Sequence, residues 1–297
     1  MMVASMTFPS WRSYEPNSLD RQYSPSLWAK DFAGNLDRYA GETAAAKRSF
    51  ASRGLFDIPY GHGTRQRLDV FPAASGDGPS PIHVFVHGGF WQESSKEYAG
   101  FPAPAFADAG SAFVAVNYTL APAATLAEIV AEIGQAYDWV RRNAAQFGGD
   151  PKRITVSGHS AGAYLAASLI AAYPGVERVD DRDGPVALLL ISGVFDLAPI
   201  QACYVNDALG LSVGEAARLD LVSALPRRDV PVCVAVGGEE TSEFRRQSVA
   251  LFDAWRPHLS GMSFVQIDGR DHFDILFDLS ERAGALYRRT RSLLNDN

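Results

Sequence analysis

The sequence predicts an α/β fold in which helices cover both faces of a mostly parallel central sheet. From Ile82 onward, short β-rich runs alternate with longer amphipathic runs. Strands that alternate with helices are joined by crossovers, and such connections make neighbouring strands parallel. The chain has 297 residues, of which 47% are hydrophobic and 21% charged, so a single domain with one substantial core is expected.

The predicted elements follow one another along most of the chain. The strands are Ile82–Val86, Ala112–Val116, Ile154–Val156, Val186–Ile191, Val230–Val236 and Ser263–Ile267. The helices are Leu126–Ala145, Ala161–Ala172, about Glu243–Trp255 and Leu279–Leu294. A loop-like stretch at residues 73–81 precedes them and follows a polar region dotted with aromatic residues. We expect residues 1–60 to form an arm or small cap that packs on the core and borders the functional site, and residues 61–297 to form one globular domain.

Charge and composition exclude several classes of function. The formal net charge is -7 and no Lys/Arg cluster could neutralise phosphates, so we expect no nucleic-acid partner. No apolar stretch reaches the roughly 18 residues that suggest a membrane span, and the segment from Met1 to Trp11 lacks the pattern of a secretory signal. Cys203 and Cys233 lack the neighbours that a disulfide framework or a zinc site needs. We therefore expect a cytoplasmic protein without a metal.

The strongest local signal is Gly158-His159-Ser160-Ala161-Gly162, which follows one predicted strand and opens a predicted helix. This is the G-x-S-x-G nucleophile elbow in the strand-turn-helix setting of the α/β-hydrolase fold. Glycines permit the sharp turn that leaves the serine hydroxyl free to attack. The alternative is a helix N-cap in which Ser160 only satisfies a free amide. His159 points away from its neighbour's side chain, so we expect it to be structural or to line the pocket.

A second signal, His87-Gly88-Gly89-Phe90-Trp91, comes directly after the Ile82–Val86 strand. Backbone amides of Gly88 and Gly89 are candidate donors to an oxyanion, and the amide of Ala161 would add a third. We expect His87 to brace the loop and Phe90 to border the substrate. Trp91 has two interpretations, as a pocket wall or as a core residue.

The catalytic base must follow the serine, because this fold orders its triad as serine, acid and histidine. Only His258 and His272 follow Ser160. His258 lies near a helix end, where it would complement the dipole. His272 follows the last predicted strand at the correct edge of the sheet and is the candidate base.

The acid should lie in the loop after the Val230–Val236 strand, where a carboxylate would fix the tautomer of the histidine. That loop contains Glu239 and Glu240, and Glu240 is the first candidate. Asp196, which follows an earlier strand, is a third candidate, although a helix N-cap before Leu197 is an alternative role for it.

Several motifs together resemble the kynurenine formamidase (arylformamidase) group of α/β-hydrolases, within the broader His-Gly-Gly esterases and lipases. They are His87–Trp91, Gly158–Gly162, Glu243–Ser248, Asp271–Asp274, Gln22–Trp28 and Pro59–Gly61. The resemblance runs from about Tyr23 to about Phe277 and implies Ser160 as nucleophile, Glu240 as acid and His272 as base. The sequence departs from the family at Glu240, where aspartate is usual.

The resemblance implies hydrolysis of an N-formyl aryl amide such as N-formylkynurenine, through an acyl-enzyme and without a cofactor. A carboxylesterase, or an amidase or carbamate hydrolase acting on another small aryl substrate, would use the same residues. A third hypothesis is a noncatalytic binding module. The expected partner is a small amide or ester, with neither nucleic acid nor membrane, and a homodimer is compatible with the sequence.

Overall fold

The computed structural model describes residues 7–74, 78–172 and 184–295, so residues 75–77 of the predicted loop at 73–81 lie outside the described residues. Within these residues, one eight-stranded sheet forms the centre, in the order β1-β2-β4-β3-β5-β6-β7-β8. The strands are β1 (Leu55–Pro59), β2 (Arg67–Phe71), β3 (Ser80–Val86), β4 (Ala112–Val116), β5 (Gly149–His159), β6 (Ala187–Ile191), β7 (Val232–Gly237) and β8 (Met262–Ile267). The pairs β1-β2 and β2-β4 are antiparallel, and every other neighbouring pair is parallel.

Helices cover this sheet on both faces. They are α1 (Pro16–Gln22), α2 (Phe32–Ser49), α3 (Ala103–Asp108), α4 (Leu126–Asn143), α5 (Ala161–Ser168), α6 (Ala198–Gln201), α7 (Asn206–Leu209), α8 (Val213–Leu219), α9 (Ser242–Trp255), α10 (Phe277–Ser280) and α11 (Ala285–Asn295). Local sequence fixes several helix starts. Thr125 and Glu128 form a reciprocal capping box at the start of α4, and the Asp31 side chain accepts the Gly34 amide at the start of α2.

Alternate residues of the strands enter two cores on opposite faces of the sheet. Val84 and Val114 belong to the core that α4, α5 and α9 cover. Phe85 and Phe113 belong to the core that α2, α3 and α11 cover. Strands buried on both faces need apolar residues at every position, which is why β4 and β7 are continuous apolar runs. The predicted α/β fold with a mostly parallel sheet is confirmed.

The structure differs from the predicted elements in several places. The predicted helix Leu279–Leu294 is broken into α10 and α11, because the chain turns at Gly284, where a Cβ atom would lie 2.0 Å from the Asp278 carbonyl oxygen. The predicted helix Ala161–Ala172 is regular only to Ser168. No helix or strand was predicted before Ile82, whereas the structure has α1, α2, β1 and β2 in that part of the chain.

The N-terminal segment is both an arm and a part of the sheet. Its helices α1 and α2 lie on the main body, and β1, which ends at Pro59, pairs with β2. No helix within the described ranges is long and apolar enough to cross a membrane.

Candidate active site

Ser160 lies at the sharp turn between β5 and α5. Its backbone has φ 56° and ψ -122°, a conformation that costs a non-glycine residue on the order of 1–3 kcal/mol. A Cβ atom at Gly158 would lie 2.0 Å from the Gly162 carbonyl oxygen, and one at Gly162 would lie 2.1 Å from that of Val86. Both glycines are therefore required by close backbone contacts, as the motif predicts. The Ser160 side chain makes no N-cap hydrogen bond and borders the main cavity.

His272 follows β8 and lies against a buried carboxylate. Its Nδ1 atom is 2.7 Å from Oε2 of Glu240, whose side chain is completely buried. The other oxygen, Oε1, accepts hydrogen bonds from the Gly237 amide at 2.6 Å and from the Ser192 hydroxyl at 2.5 Å. These two donors fix the carboxylate, so Oε2 is left to accept the Nδ1 proton. The arrangement assigns the Nδ1-H tautomer and leaves Nε2 with a lone pair that can accept a proton.

The other two candidate acids contact cations instead of a histidine. Glu239 forms an exposed ion pair with Lys30, with Nζ and Oε2 2.8 Å apart. Asp196 pairs with Arg246 at 3.1 Å, and its Oδ1 accepts the Ala198 amide, which resembles the capping role considered for it. The adjacent residues Glu239 and Glu240 thus have different environments, one at the surface and one buried.

The loop that carries His272 is held from several sides. Asp271 accepts the amides of Phe273 and Asp274 through Oδ1, and Oδ2 accepts the amide of Lys30. His159 contributes as well, because its Nε2 atom lies 2.7 Å from the His272 carbonyl oxygen. Burial lowers the pKa of His159 well below its ordinary value, so the ring is neutral and donates this hydrogen bond.

The Phe244 ring of α9 lies 4.2 Å from the His272 ring, measured between centroids. The sequence did not predict this contact of Phe244 with His272. Its motif, Glu243–Ser248, was noted only as part of a resemblance. By contrast, His258 is exposed at the end of α9 and is not among the residues that line the cavity.

His87 braces the loop after β3. Its Nδ1 atom lies 2.8 Å from the Gly88 carbonyl oxygen and its Nε2 atom 3.2 Å from Oδ1 of Asn117. The ring stacks on Tyr118 at 4.3 Å, and the Tyr118 hydroxyl donates to the His87 carbonyl oxygen. Burial lowers the pKa of His87 to about 4, so it carries no charge near neutral pH.

The two glycines of this loop lie beside the serine. A Cβ atom at Gly88 would lie 2.9 Å from the Cβ atom of Ser160, and Gly89 has φ 101°, which favours glycine. None of the hydrogen bonds found among the described residues uses the Gly88 or Gly89 amide. Ala161 begins α5, where the first amides have no partner within the helix. The amides of Gly88, Gly89 and Ala161 are thus without a hydrogen-bond partner among the described residues.

Ser160 and His272 line one cavity of about 240 Å³. Its wall also includes Gly88, Gly89, Phe90 and His159. Trp91 is not part of that wall: it is completely buried and packs edge-on against Tyr164, with ring centroids 5.3 Å apart. Of the two interpretations of Trp91, the structure places it in the core.

The N-terminal arm supplies much of the cavity wall. Pro25, Phe32, Leu36 and Tyr39 line it. The arm is fixed to α9 through the buried hydroxyl of Tyr23, which donates to Oε2 of Glu243 at 2.7 Å and accepts from Nε2 of Gln247 at 2.9 Å. The two motifs of the resemblance, at Gln22–Trp28 and Glu243–Ser248, therefore contact each other.

Metal-binding clusters of three or more His, Cys, Asp or Glu residues do not occur in the part of the chain that the structure describes. Cys203 and Cys233 are buried and unpaired with each other.

Comparisons with known proteins relate the chain to hydrolases. A family model described as BD-FAE matches residues 68–189. Kynurenine formamidase from Danio rerio is 30% identical over 279 residues, which are 91% of this chain and 93% of that protein. Esterase LipQ from Mycobacterium tuberculosis is 34% identical over 170 residues, or 54% of this chain and 37% of that protein. A solved structure assigned as a thioesterase, from Silicibacter sp. TM1040, has a TM-score of 0.82 at 26% identity and covers 91% of this chain and 97% of its own.

Proposed function

The chain belongs to the kynurenine formamidase family of α/β-hydrolases, and from this premise we propose that it cleaves an N-formyl aryl amide to formate and the free arylamine. The chain is a hydrolase, and its substrate is a small molecule. The observation that carries the proposal is the match to a formamidase along 91% of the chain. N-formylkynurenine is the substrate that this match favours.

Ser160 acts as the nucleophile, His272 as the general base and Glu240 as the acid that orients the base. The 2.7 Å contact between Nδ1 of His272 and Oε2 of Glu240 supports this assignment, because it leaves Nε2 free to take the serine proton. Glutamate is longer than the aspartate usual in the family. Here the two donors to Oε1, the Gly237 amide and the Ser192 hydroxyl, hold the longer side chain in place.

The reaction begins when the Ser160 oxygen attacks the formyl carbon and the proton passes to Nε2 of His272. Negative charge develops on the carbonyl oxygen, where the amides of Gly88, Gly89 and Ala161 stabilise it. His272 then protonates the departing arylamine nitrogen, and a formyl group remains on Ser160. A water molecule, deprotonated by His272, then attacks the formyl carbon; the bond from that carbon to the Ser160 oxygen breaks, the serine oxygen regains the proton from His272, and formate leaves.

The cavity suits a small acyl group and an aromatic leaving group. Gly88 lies so close to Ser160 that a methyl group on its Cα would meet the serine, so little room exists beside the acyl carbon. The rest of the wall is largely apolar and includes Phe32, Leu36 and Phe90. These side chains supply the surface on which an aryl ring would pack.

The test is a comparison of substrates. We expect kcat/KM for N-formyl-L-kynurenine to exceed that for p-nitrophenyl acetate and butyrate. Negligible turnover of the formamide with efficient cleavage of the esters would refute the proposal. A fluorophosphonate probe should label the wild type and not Ser160→Ala; an unlabelled wild type would instead favour a noncatalytic binding module.

A carboxylesterase is the second candidate, because an esterase from Mycobacterium tuberculosis shares 34% identity with a 170-residue part of the chain. An ester would use the same nucleophile and the same amides. Ester hydrolysis would differ from amide hydrolysis because it has no poor amine leaving group that must be protonated. Hydrolysis of another aryl amide or a carbamate would use the same residues. A cytoplasmic location and a homodimer stay predictions; sedimentation velocity tests the second.

A further inference from the structure

Glu93 is a charged residue of the cavity wall that the mechanism does not use. Among the described residues that line the cavity, it is the one carboxylate, and no Lys or Arg accompanies it. The side chain is exposed and forms no salt bridge with any described residue. A residue with an unpaired carboxylate therefore lines the same cavity as Ser160 and His272.

The backbone of Glu93 is held in place. Its amide donates to the Gly89 carbonyl oxygen at 3.0 Å, and its own carbonyl oxygen would lie 2.3 Å from a Cβ atom at Gly89. The next residue, Ser94, has φ 73°, and its carbonyl oxygen accepts from Nη2 of Arg65 at 2.7 Å. The carboxylate is thus carried by a fixed segment of the loop that also supplies the oxyanion amides.

No cation of this loop neutralises the Glu93 carboxylate. Arg65 donates to the carbonyl oxygens of Tyr118 and Ser94, and Lys96 pairs with buried Asp69 at 3.0 Å. The buried histidines of the cavity wall, His87 and His159, have lowered pKa values and are neutral. A positive group on a bound molecule would therefore meet an uncompensated carboxylate beside apolar walls.

We propose that Glu93 is a specificity-determining residue that binds an ammonium group on the substrate, beyond the acyl group and aromatic ring that the apolar wall accepts. The proposal rests on the proposed function, since it concerns the leaving-group side of the same cavity. It also fits the substrate that the family match favours: N-formylkynurenine carries an α-ammonium group on the side chain ortho to its formamide. Glu93 thereby distinguishes amino-acid formamides from simple formanilides.

The test compares a cationic and a neutral ester of one shape, 3-(trimethylammonio)phenyl acetate and 3-tert-butylphenyl acetate. The ratio of their kcat/KM values is measured for the wild type and for Glu93→Gln, because a ratio within one variant cancels any loss of folded protein. We expect the substitution to lower this ratio about threefold to tenfold, as for a partly exposed charge pair. Glu93→Asp keeps the negative charge, so its kcat/KM ratio should stay closer to the wild-type value than the ratio of Glu93→Gln does.

The matched control is Asp253→Asn, which removes one exposed carboxylate of α9 that does not line the cavity. The kcat/KM ratio of Asp253→Asn should equal that of the wild type. If the ratio fell as far in Asp253→Asn as in Glu93→Gln, net charge alone would be responsible and the proposal would fail. An unchanged ratio in Glu93→Gln overturns the proposal.

A parallel measurement separates this proposal from the proposed function. The same variants are assayed with N-formyl-L-kynurenine and with its deaminated analogue, 4-(2-formamidophenyl)-4-oxobutanoate. If neither formamide is cleaved while the ester ratio depends on Glu93, the formamidase proposal fails and ammonium recognition stands. If both formamides are cleaved with no dependence on Glu93 in either substrate pair, ammonium recognition fails and the formamidase proposal stands.

Discussion

Replacement of Glu240 by glutamine should remove most of the activity without removing the fold. Oε1 accepts two hydrogen bonds, from the Gly237 amide and the Ser192 hydroxyl, so the oxygen of a glutamine amide would keep that position. The NH₂ group would then replace Oε2 and face Nδ1 of His272. Two donors cannot share a hydrogen bond, so the ring must adopt the Nε2-H tautomer, in which Nε2 cannot accept the serine proton.

The expected loss follows from this tautomer. Glu240→Gln should lower kcat by about 10³-fold to 10⁴-fold, the range found when the acid of a serine triad becomes an amide. That loss corresponds to roughly 4–5 kcal/mol of transition-state stabilisation. The assay is steady-state release of formate, with circular dichroism to verify the fold.

Glu239→Gln is the matched control, because it makes the same chemical change at the neighbouring position. It removes only an exposed ion pair with Lys30, so kcat should stay within about twofold of the wild type. A loss below about tenfold in Glu240→Gln, or an equal loss in both variants, would refute the argument that Glu240 fixes the tautomer.

Three further predictions concern stability and the elbow. Gly162→Ala should abolish activity and lower the Tm, because its Cβ atom would lie 2.1 Å from a β3 carbonyl oxygen. The control Gly214→Ala, which adds a Cβ atom in open space, should leave activity and Tm unchanged. Equal Tm values for the two variants would contradict the clash at Gly162. Tyr23→Phe should cost about 1–3 kcal/mol in urea unfolding, since it removes two buried hydrogen bonds, one to Glu243 and one from Gln247; a change under about 0.5 kcal/mol would be inconsistent with this. Acid should destabilise the fold: burial lowers the pKa of His83 from 6.5 to about 3 and that of His87 to about 4. Below pH 6.5 the unfolded chain therefore binds more protons than the folded chain. The free energy of unfolding is unaffected by these histidines above that pH and falls by about 2 kcal/mol per histidine by pH 5. Urea titrations between pH 7 and 5 measure this, and a flat profile would argue against neutral, buried rings.

The central strands could be predicted because their burial dictates the residue pattern. Ala112–Val116 is a strand with the predicted bounds, since a strand buried on both faces must be apolar throughout. The arm could not be predicted in this way. The buried residues of α2, which are Tyr39, Thr43 and Ala46, have helical spacing, but the polar threonine and the small alanine leave no continuous apolar stripe in the sequence. The break between α10 and α11 depends on a backbone contact at Gly284 that periodicity does not report.

The candidate site was predictable where strand order places loops at one edge of the sheet. Ser160 and His272 follow β5 and β8, and both line the cavity. The sequence analysis preferred Glu240 to Glu239, but no local pattern separates them, because adjacent residues differ only in how the turn directs their side chains. The contact between Tyr23 and Glu243 spans 220 residues, and the sequence carries no physical signal for such a pairing.

The proposed formamide hydrolysis requires Ser160 as the attacking group. The decisive measurement is formate release from N-formyl-L-kynurenine by the wild type and by Ser160→Ala at equal concentration. We predict steady turnover by the wild type and a loss of at least about 10⁴-fold in the variant. Formate release by Ser160→Ala at a rate near that of the wild type would contradict the account.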